Sequence, residues 1–463
     1  MNLLDSSSQN ELKNKKRDDV ILLVAFVCVL LSRLPFLNAG YGGDPDAWAV
    51  ANAARQIAIS GIYSASRLPG YPLQEFFYSF IWGTGPVGFN LTTAILSALC
   101  FLFFALSLNF FKSRDFILGG LALAFTPAIY IYSVTSMDYV WALMFILGSM
   151  YFILLQRPLL GGCFLGMAIG CRITSSVMLI PFIFILIHRE SGINIKSLIL
   201  FYCASLITGA VMFVPVGLRY GTGFHVYYQG AYPDILRIGY KASIGVWGTF
   251  GSLVLLFAII KSVFTLPPRN YEPHNNSSIP RSSISAWLIL SWFLIILIYV
   301  GLYLRLPYES GYLIPIVPFV ILLLSILADR KVFIVFCIFL ILSSFILTTE
   351  KSGLKFAGPV VVDHKNRIEV TKLIEKTLIY VQSSNEKSVI IAGYYMSIVE
   401  AYTFGQTEPN TIFVYTLNID QIKKYRSEGY KLYYLPKQRE ENISVLGVDP
   451  QNYGVLPIEP SLK

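Results

Sequence analysis

Charge is what this sequence has least of. Asp, Glu, Lys and Arg make up 14% of its 463 residues, against 55% hydrophobic and 15% aromatic, with a mean hydropathy of +0.61. A soluble chain carries roughly 25% charged residues. The deficit excludes a cytosolic enzyme, a small secreted disulfide scaffold, a collagenous chain and a disordered protein. Most of the chain must face lipid. Cysteine is missing from every polar segment. Cys28, Cys100, Cys163, Cys171, Cys203 and Cys337 all lie in apolar runs, where they read as small packing residues rather than a disulfide framework. The 4 histidines are scattered, and no HExxH or CxxC string is present, so there is no metal signature. No cofactor is specified; a divalent metal stays open. There is no GxGxxG loop, no P-loop and no evident internal repeat. After the apolar run 21–31 no small-residue cleavage site follows, and Arg33-Leu34-Pro35 comes next, so this run is a retained span.

What is present is a series of apolar runs. A hydrocarbon core about 30 Å thick needs about 20 helical residues. Spans are expected at 19–38, 87–111, 115–134, 138–156, 159–171, 173–188, 196–217, 242–262, 284–304, 311–328 and 331–349, about eleven in all. The two short runs around Arg172 are either two spans or one bent or broken helix. Gly162, Gly166 and Gly170 form a doubled small-xxx-small pattern, which signals close helix packing. Basic residues mark every second loop: Lys13 to Arg17, then Lys112 with Arg114, Arg157, Arg189 with Lys196, Lys261 with Arg269 and Arg281, and Arg330 with Lys331. This alternation places the N-terminus in the cytoplasm and the C-terminal tail outside. It also absorbs much of the net charge of +9, with no need for nucleic acid.

Two outward segments exceed simple turns, at about 39–86 and 219–241. The stretch 73–82 in the first is apolar enough to lie in or on the membrane. The segment 263–283, with its paired prolines, reads as a cytosolic linker. From 350 to 463 the composition turns polar. Strand-like runs SVIIAG, NTIFVYT and KLYYLPK alternate with helix-like stretches at 364–382, 395–405 and 418–428, which predicts a small extracytoplasmic α/β domain with a mainly parallel sheet. The expected organisation is thus a helical transmembrane domain over 1–349 and a soluble domain over 350–463.

The scarce charged residues concentrate outside. GGDPDAW in the first outward loop sets Asp44 before a proline, as in a helix N-cap, with Asp46 in the first turn. Two carboxylates two residues apart exceed what capping requires, and Asp46 is the stronger functional candidate. SRLPGYPLQEF brings Arg67, Tyr71 and Glu75 between stiffening prolines. Asp138 in SMDY opens a span on the same predicted face, and ionisable residues at membrane depth are rare and usually functional. Arg33, Arg172, Arg219, Arg305, Lys241 and His225 add a cationic outer rim suited to an anionic headgroup such as a phosphate. Arg305 opens RLPYESGYLIPIVPF, which also carries Tyr308 and Glu309.

In order and topology these motifs resemble the GT-C superfamily of polytopic membrane glycosyltransferases, nearest the protein O-mannosyltransferase and aminoarabinose-transferase branch. The resemblance covers roughly 15–350 through GGDPDAW, the YPL string, SMDY, GMAIGCRIT and RLPYESGYLIPIVPF. It implies transfer of a sugar from a polyprenyl-phosphate donor to an extracytoplasmic glycan, lipid or protein acceptor. An acid of the first outward loop would be the base: Asp46, or Asp44 if the register shifts. Asp138 would be the second outer acid, and Arg172 or Arg305 would hold the donor phosphate. The chain departs from the family in its Asp-Pro-Asp, where relatives often have Asp-Glu. The rival class is a lipid-linked sugar flippase or transporter, against which the missing repeat counts.

Overall fold

The computed structural model describes residues 3–189, 194–224, 232–264, 286–350, 353–405, 410–436 and 453–458. His225 and most of the expected linker 263–283 lie outside the described residues. Two compact units form. The first comprises Met1–Leu37, Leu68–Gln74 and Asn90–Val362, and the second comprises Asn38–Arg67, Glu75–Phe89 and Asp363–Lys463.

The first unit is almost wholly helical. Together with Trp82–Phe110, which begins in the second unit, 6 described helices are long and apolar enough to cross a membrane: Lys16–Phe36, Trp82–Phe110, Ile195–Gly223, Ile244–Ser262, Ala286–Arg305 and Ser310–Leu327. Tyr139–Leu154, Pro158–Cys171 and Ile173–Arg189 are shorter apolar helices. This is a multi-pass membrane protein. Several apolar runs that read as single spans are interrupted, each for a local reason. The run 115–134 divides into Phe116–Ala124 and Pro127–Tyr132, because Pro127 has no N–H to continue the ladder and starts a new helix instead. Arg172 is extended (φ −151°, ψ 116°) between Pro158–Cys171 and the tight turn Ile173–Met178, which continues into Leu179–Arg189. The two short runs are therefore one helix path broken at the arginine. The last run ends as a helix at Ser343 and is followed by two short strands paired antiparallel, β1 (Thr348–Glu350) with β2 (Gly353–Lys355).

The glycine pattern does what small-residue spacing permits. Helix Pro158–Cys171 lies against Ile195–Tyr220. A Cβ added to Gly166 would come within 2.8 Å of the Ser205 carbonyl oxygen, and one at Gly170 within 2.8 Å of Met212 Cγ. The two backbones approach this closely only because no side chains intervene. At Gly248, inside Ile244–Phe264, φ is +71°, a left-handed conformation that suits glycine and kinks this helix.

The second unit holds a four-stranded parallel sheet in the order β4-β3-β5-β6, formed by β3 (Ser388–Ile391), β4 (Thr411–Val414), β5 (Lys431–Tyr434) and β6 (Leu456–Pro457). The three longer strands are the three β-rich runs of the tail. Helices Pro359–Ser383 (its first residues in the other unit), Met396–Thr403 and Ile419–Ser427 occupy the expected helical stretches. Val389, Ile390 and Ile391 of β3 are all buried, as a central parallel strand covered on both faces requires. The same unit includes helix Pro45–Ser60 from the 39–86 segment, whose Trp48 lies in one core cluster with Ile374, Ile390, Ile398 and Leu435.

Candidate functional site

In the first unit the charged residues gather at the break in the chain at Arg172. Asp138 stands immediately before helix Tyr139–Leu154 but does not cap it. Its carboxylate, 0% exposed, is instead ion-paired and hydrogen-bonded to the Arg172 guanidinium. The extended backbone at Arg172 aims this side chain away from the helix path that would otherwise carry it. Aromatic rings enclose the guanidinium carbon, with centroids at 4.4 Å (Tyr139), 5.3 Å (Tyr312) and 6.0 Å (Tyr71). Such faces attract a cation and exclude water from it. The close fit of Tyr139 depends on Gly311, where an added Cβ would stand 2.6 Å from the tyrosine ring.

A second ion pair continues this arrangement. Lys241 Nζ lies 3.1 Å from Glu309 Oε2 and 3.3 Å from Oε1, and the Tyr132 hydroxyl donates to Glu309 Oε2 at 3.4 Å. The Tyr132 ring meets Tyr139 edge-on at 4.6 Å. Two cations, two carboxylates and four tyrosines thus form one continuous polar wall. The Arg172, Lys241 and Glu309 side chains keep 14%, 18% and 28% exposure, enough to meet a ligand, while Asp138 keeps none. Gln74 is buried behind them and donates from Nε2 to the Ser136 carbonyl at 3.2 Å.

The second unit holds the other acids. Asp44 is the N-cap of Pro45–Ser60, accepting from the Asp46 backbone N–H at 2.9 Å. Asp46, with its side chain 46% exposed, pairs with Arg67 Nε at 3.2 Å. Arg67 in turn follows a turn that is tied down by Glu75. The buried Glu75 accepts from the Ser66 N–H at 2.7 Å, from the Ser66 hydroxyl at 2.6 Å and from the Tyr63 hydroxyl. A carboxylate receiving three hydrogen bonds is a brace for the turn, and through it for the arginine that meets Asp46.

The remaining candidates stand elsewhere. Arg33 is 0% exposed. It donates to the carbonyls of Val29 (3.0 Å) and Ala124 (2.5 Å) and to the hydroxyls of Ser32 (2.8 Å), Ser133 (3.3 Å) and Ser97 (3.5 Å), and it stacks on Tyr130 at 4.3 Å. Arg305 is exposed at the end of Ala286–Arg305, and Tyr308 is half-buried. Tyr132, Tyr139 and Tyr312, which line the polar wall, were not singled out by sequence. Their signal was adjacency: Tyr139 follows Asp138, and Tyr312 follows Glu309 by three residues. Among the described residues no group of three or more His, Cys, Asp or Glu side chains is arranged to hold a metal ion.

No family model matches the sequence, and no curated protein matches it by sequence. A solved structure does match in three dimensions: ArnT from Cupriavidus metallidurans, in a crystal structure bound to undecaprenyl phosphate. The TM-score is 0.53 at 14% identity, over 94% of this chain and 89% of that one. At that identity the likeness is one of fold, and it extends through the helices and the C-terminal α/β region alike. The family resemblance read from GGDPDAW, SMDY and RLPYESGY and the three-dimensional match therefore agree: this chain has the GT-C fold of a polytopic membrane protein.

Proposed function

We propose that the protein is a membrane glycosyltransferase that moves a sugar from a polyprenyl-phosphate donor to an extracytoplasmic acceptor. The observation that carries this reading is the Arg172–Asp138 pair, walled by Tyr71, Tyr139 and Tyr312 and continued by Lys241 and Glu309, inside a GT-C fold. The lipid bound to the ArnT structure, undecaprenyl phosphate, supports a lipid phosphate as the anionic ligand. Arg172 supplies a fixed cation at the end of a broken helix, and tyrosine faces and hydroxyls suit a sugar beside a phosphate. Asp138, fully buried, orients the guanidinium so that it is preorganised before the donor arrives.

In the proposed reaction an acceptor hydroxyl attacks the anomeric carbon. The new C–O bond forms as the bond to the phosphate oxygen breaks, with inversion in a single displacement. The hydroxyl proton passes to a carboxylate of the first outward loop, Asp46, or Asp44 in the shifted register. The departing polyprenyl phosphate gains charge, which the arginine stabilises. The geometry supports Asp46: the Asp44 carboxylate is taken up by capping the Asp46 N–H, while the Asp46 carboxylate, paired with Arg67 Nε, keeps 46% exposure. The N-terminus is proposed to be cytoplasmic and the α/β region extracytoplasmic, on the alternation of basic loops.

The test is purified protein with radiolabelled polyprenyl-phosphate sugars and extracted membrane acceptors, comparing Asp46→Asn, Asp44→Asn and Asp138→Asn. Loss of transfer in Asp46→Asn and Asp138→Asn is expected. Unchanged transfer in all three folded variants would sink the site assignment. Donor crossing liposome membranes with no transfer would support a flippase instead.

A further inference from the structure

The polypeptide after Asp363 is more than a separate appendage. Helix Pro45–Ser60, which carries Asp46 and is capped by Asp44, buries Ala47, Trp48, Val50, Ala51, Ala53, Ala54 and Ile57. Its small residues let it lie close against helix Met396–Thr403. Trp48 stands in the hydrophobic core of the α/β region, and its indole N–H donates to the Gly42 carbonyl at 2.9 Å, tying the GGDP segment to the same core. Asn52 Nδ2 donates to the Ser397 carbonyl at 2.9 Å, which fixes the register of the two helices. One turn further on, the Arg55 guanidinium lies over the Phe404 ring at 4.1 Å.

The segment entering the helix is held with equal closeness. Gly40 has φ +73°, and a Cβ there would stand 2.6 Å from Trp48 Cζ2 and 3.2 Å from Thr371 Oγ1. At Gly43 an added Cβ would meet Asp363 Oδ1 at 3.3 Å, Arg367 Cγ at 3.6 Å and Arg367 Cδ at 3.7 Å. Asp363 and Arg367 are themselves an ion pair at 3.4 Å. Burial pushes the Asp363 carboxyl up, with Arg367 opposing, and pulls the Arg367 guanidinium down, with Asp363 opposing.

We infer that the α/β region is the positioning scaffold of the acid-bearing helix, so that the placement of Asp46 is set by Asn52–Ser397, Trp48 and the Asp363–Arg367 surface beneath Gly43. A helix transmits displacement along its axis with little bending, so an anchor two turns away moves the carboxylate with it. The functional part of the inference rests on the proposed transferase reading, in which an acid of this helix is the base. None of the anchors touches the reacting atoms; they are positioning residues.

The experiment compares full-length wild type, Asn52→Ala, Asn52→Gln and Gly43→Ala in lipid nanodiscs, by amide hydrogen exchange and by transfer kinetics. Losing one hydrogen bond should speed exchange in helix 45–60 by about threefold to tenfold, with the transmembrane helices unaffected. In Asn52→Ala and Gly43→Ala, kcat should fall while the donor and acceptor KM values hold, and Asn52→Gln, which keeps an amide donor, should recover part of the loss. Unchanged exchange in 45–60 together with unchanged kcat would overturn the inference. So would a raised acceptor KM at unchanged kcat, which would make the α/β region an acceptor-binding module. If wild type transfers no sugar, the proposed function fails, while the exchange data still decide whether the region positions this helix.

Discussion

The Arg172–Asp138 pair makes an asymmetric prediction. In Arg172→Gln the Asp138 carboxylate, with 0% exposure, stays buried without its cation. Stripping one partner from a buried pair costs about 3–5 kcal/mol, most of it the uncompensated charge. In Asp138→Asn the guanidinium keeps an amide oxygen to donate to, the rings of Tyr139, Tyr312 and Tyr71, and 14% exposure. Its loss is therefore held to about 1–3 kcal/mol. The double variant leaves two neutral amides and should cost less than the sum, with a coupling of about 2–3 kcal/mol. The assay is the half-life of folded protein in detergent at a fixed elevated temperature, because membrane proteins unfold irreversibly and a rate is the meaningful quantity. Arg172→Gln should be shortest-lived, Asp138→Asn longer-lived, and the double variant longer-lived than Arg172→Gln alone. A double variant no more robust than Arg172→Gln would refute the claim that the pair is a buried charge couple.

Asp44 and Asp46 should separate cleanly. Asp44→Asn keeps a capping oxygen and should retain fold and transfer, Asp44→Ala should cost about 1 kcal/mol of stability, and Asp46→Asn should abolish transfer with little change in thermal unfolding. Glu75→Leu leaves Ser66 and Tyr63 without their acceptor and should destabilise by about 2–4 kcal/mol; Glu75→Gln, which keeps one oxygen for Ser66, should lose less than half of that, read by thermal unfolding. Gly166→Val should separate Pro158–Cys171 from Ile195–Tyr220 and lower the unfolding temperature, while Gly301→Ala, where nothing lies within 4 Å, should leave it unchanged.

Much of the architecture was legible because it is local. Strand runs such as SVIIAG, the Asp-Pro cap and the glycine spacing each act over a few residues, and the structure has them where the sequence puts them. The breaks were half legible: proline marked one at Thr126-Pro127, and a lone arginine marked the other. What escaped was long-range. Asn52 and Ser397 are 345 residues apart, and nothing in either segment signals that a loop near the N-terminus shares a core with the tail. The tyrosines around Arg172 escaped for a related reason. In a chain so rich in aromatics, a ring that faces a cation is indistinguishable by type from one that faces lipid. Arg33 reads as a rim cation because its partners, three hydroxyls and two carbonyls, are neutral and leave no complementary charge in the sequence.

That last arrangement bears on how the chain is put together in the bilayer. Two of the groups that receive Arg33 protons sit in its own helix, and the others arrive with residues 97, 124 and 133. The first span thus emerges from synthesis carrying an arginine whose final partners have not yet been made. It is expected to remain loosely seated until about a hundred further residues have followed it. Stalled chains ending before and after residue 133, with Arg33 kept, Cys28 and Cys100 replaced by alanine and a cysteine at the buried position 29 probed by chemical labelling, would date that moment of closure; equal accessibility at both lengths would contradict it. On that outcome the guanidinium is a timing device, a latch that the later helices close on the first.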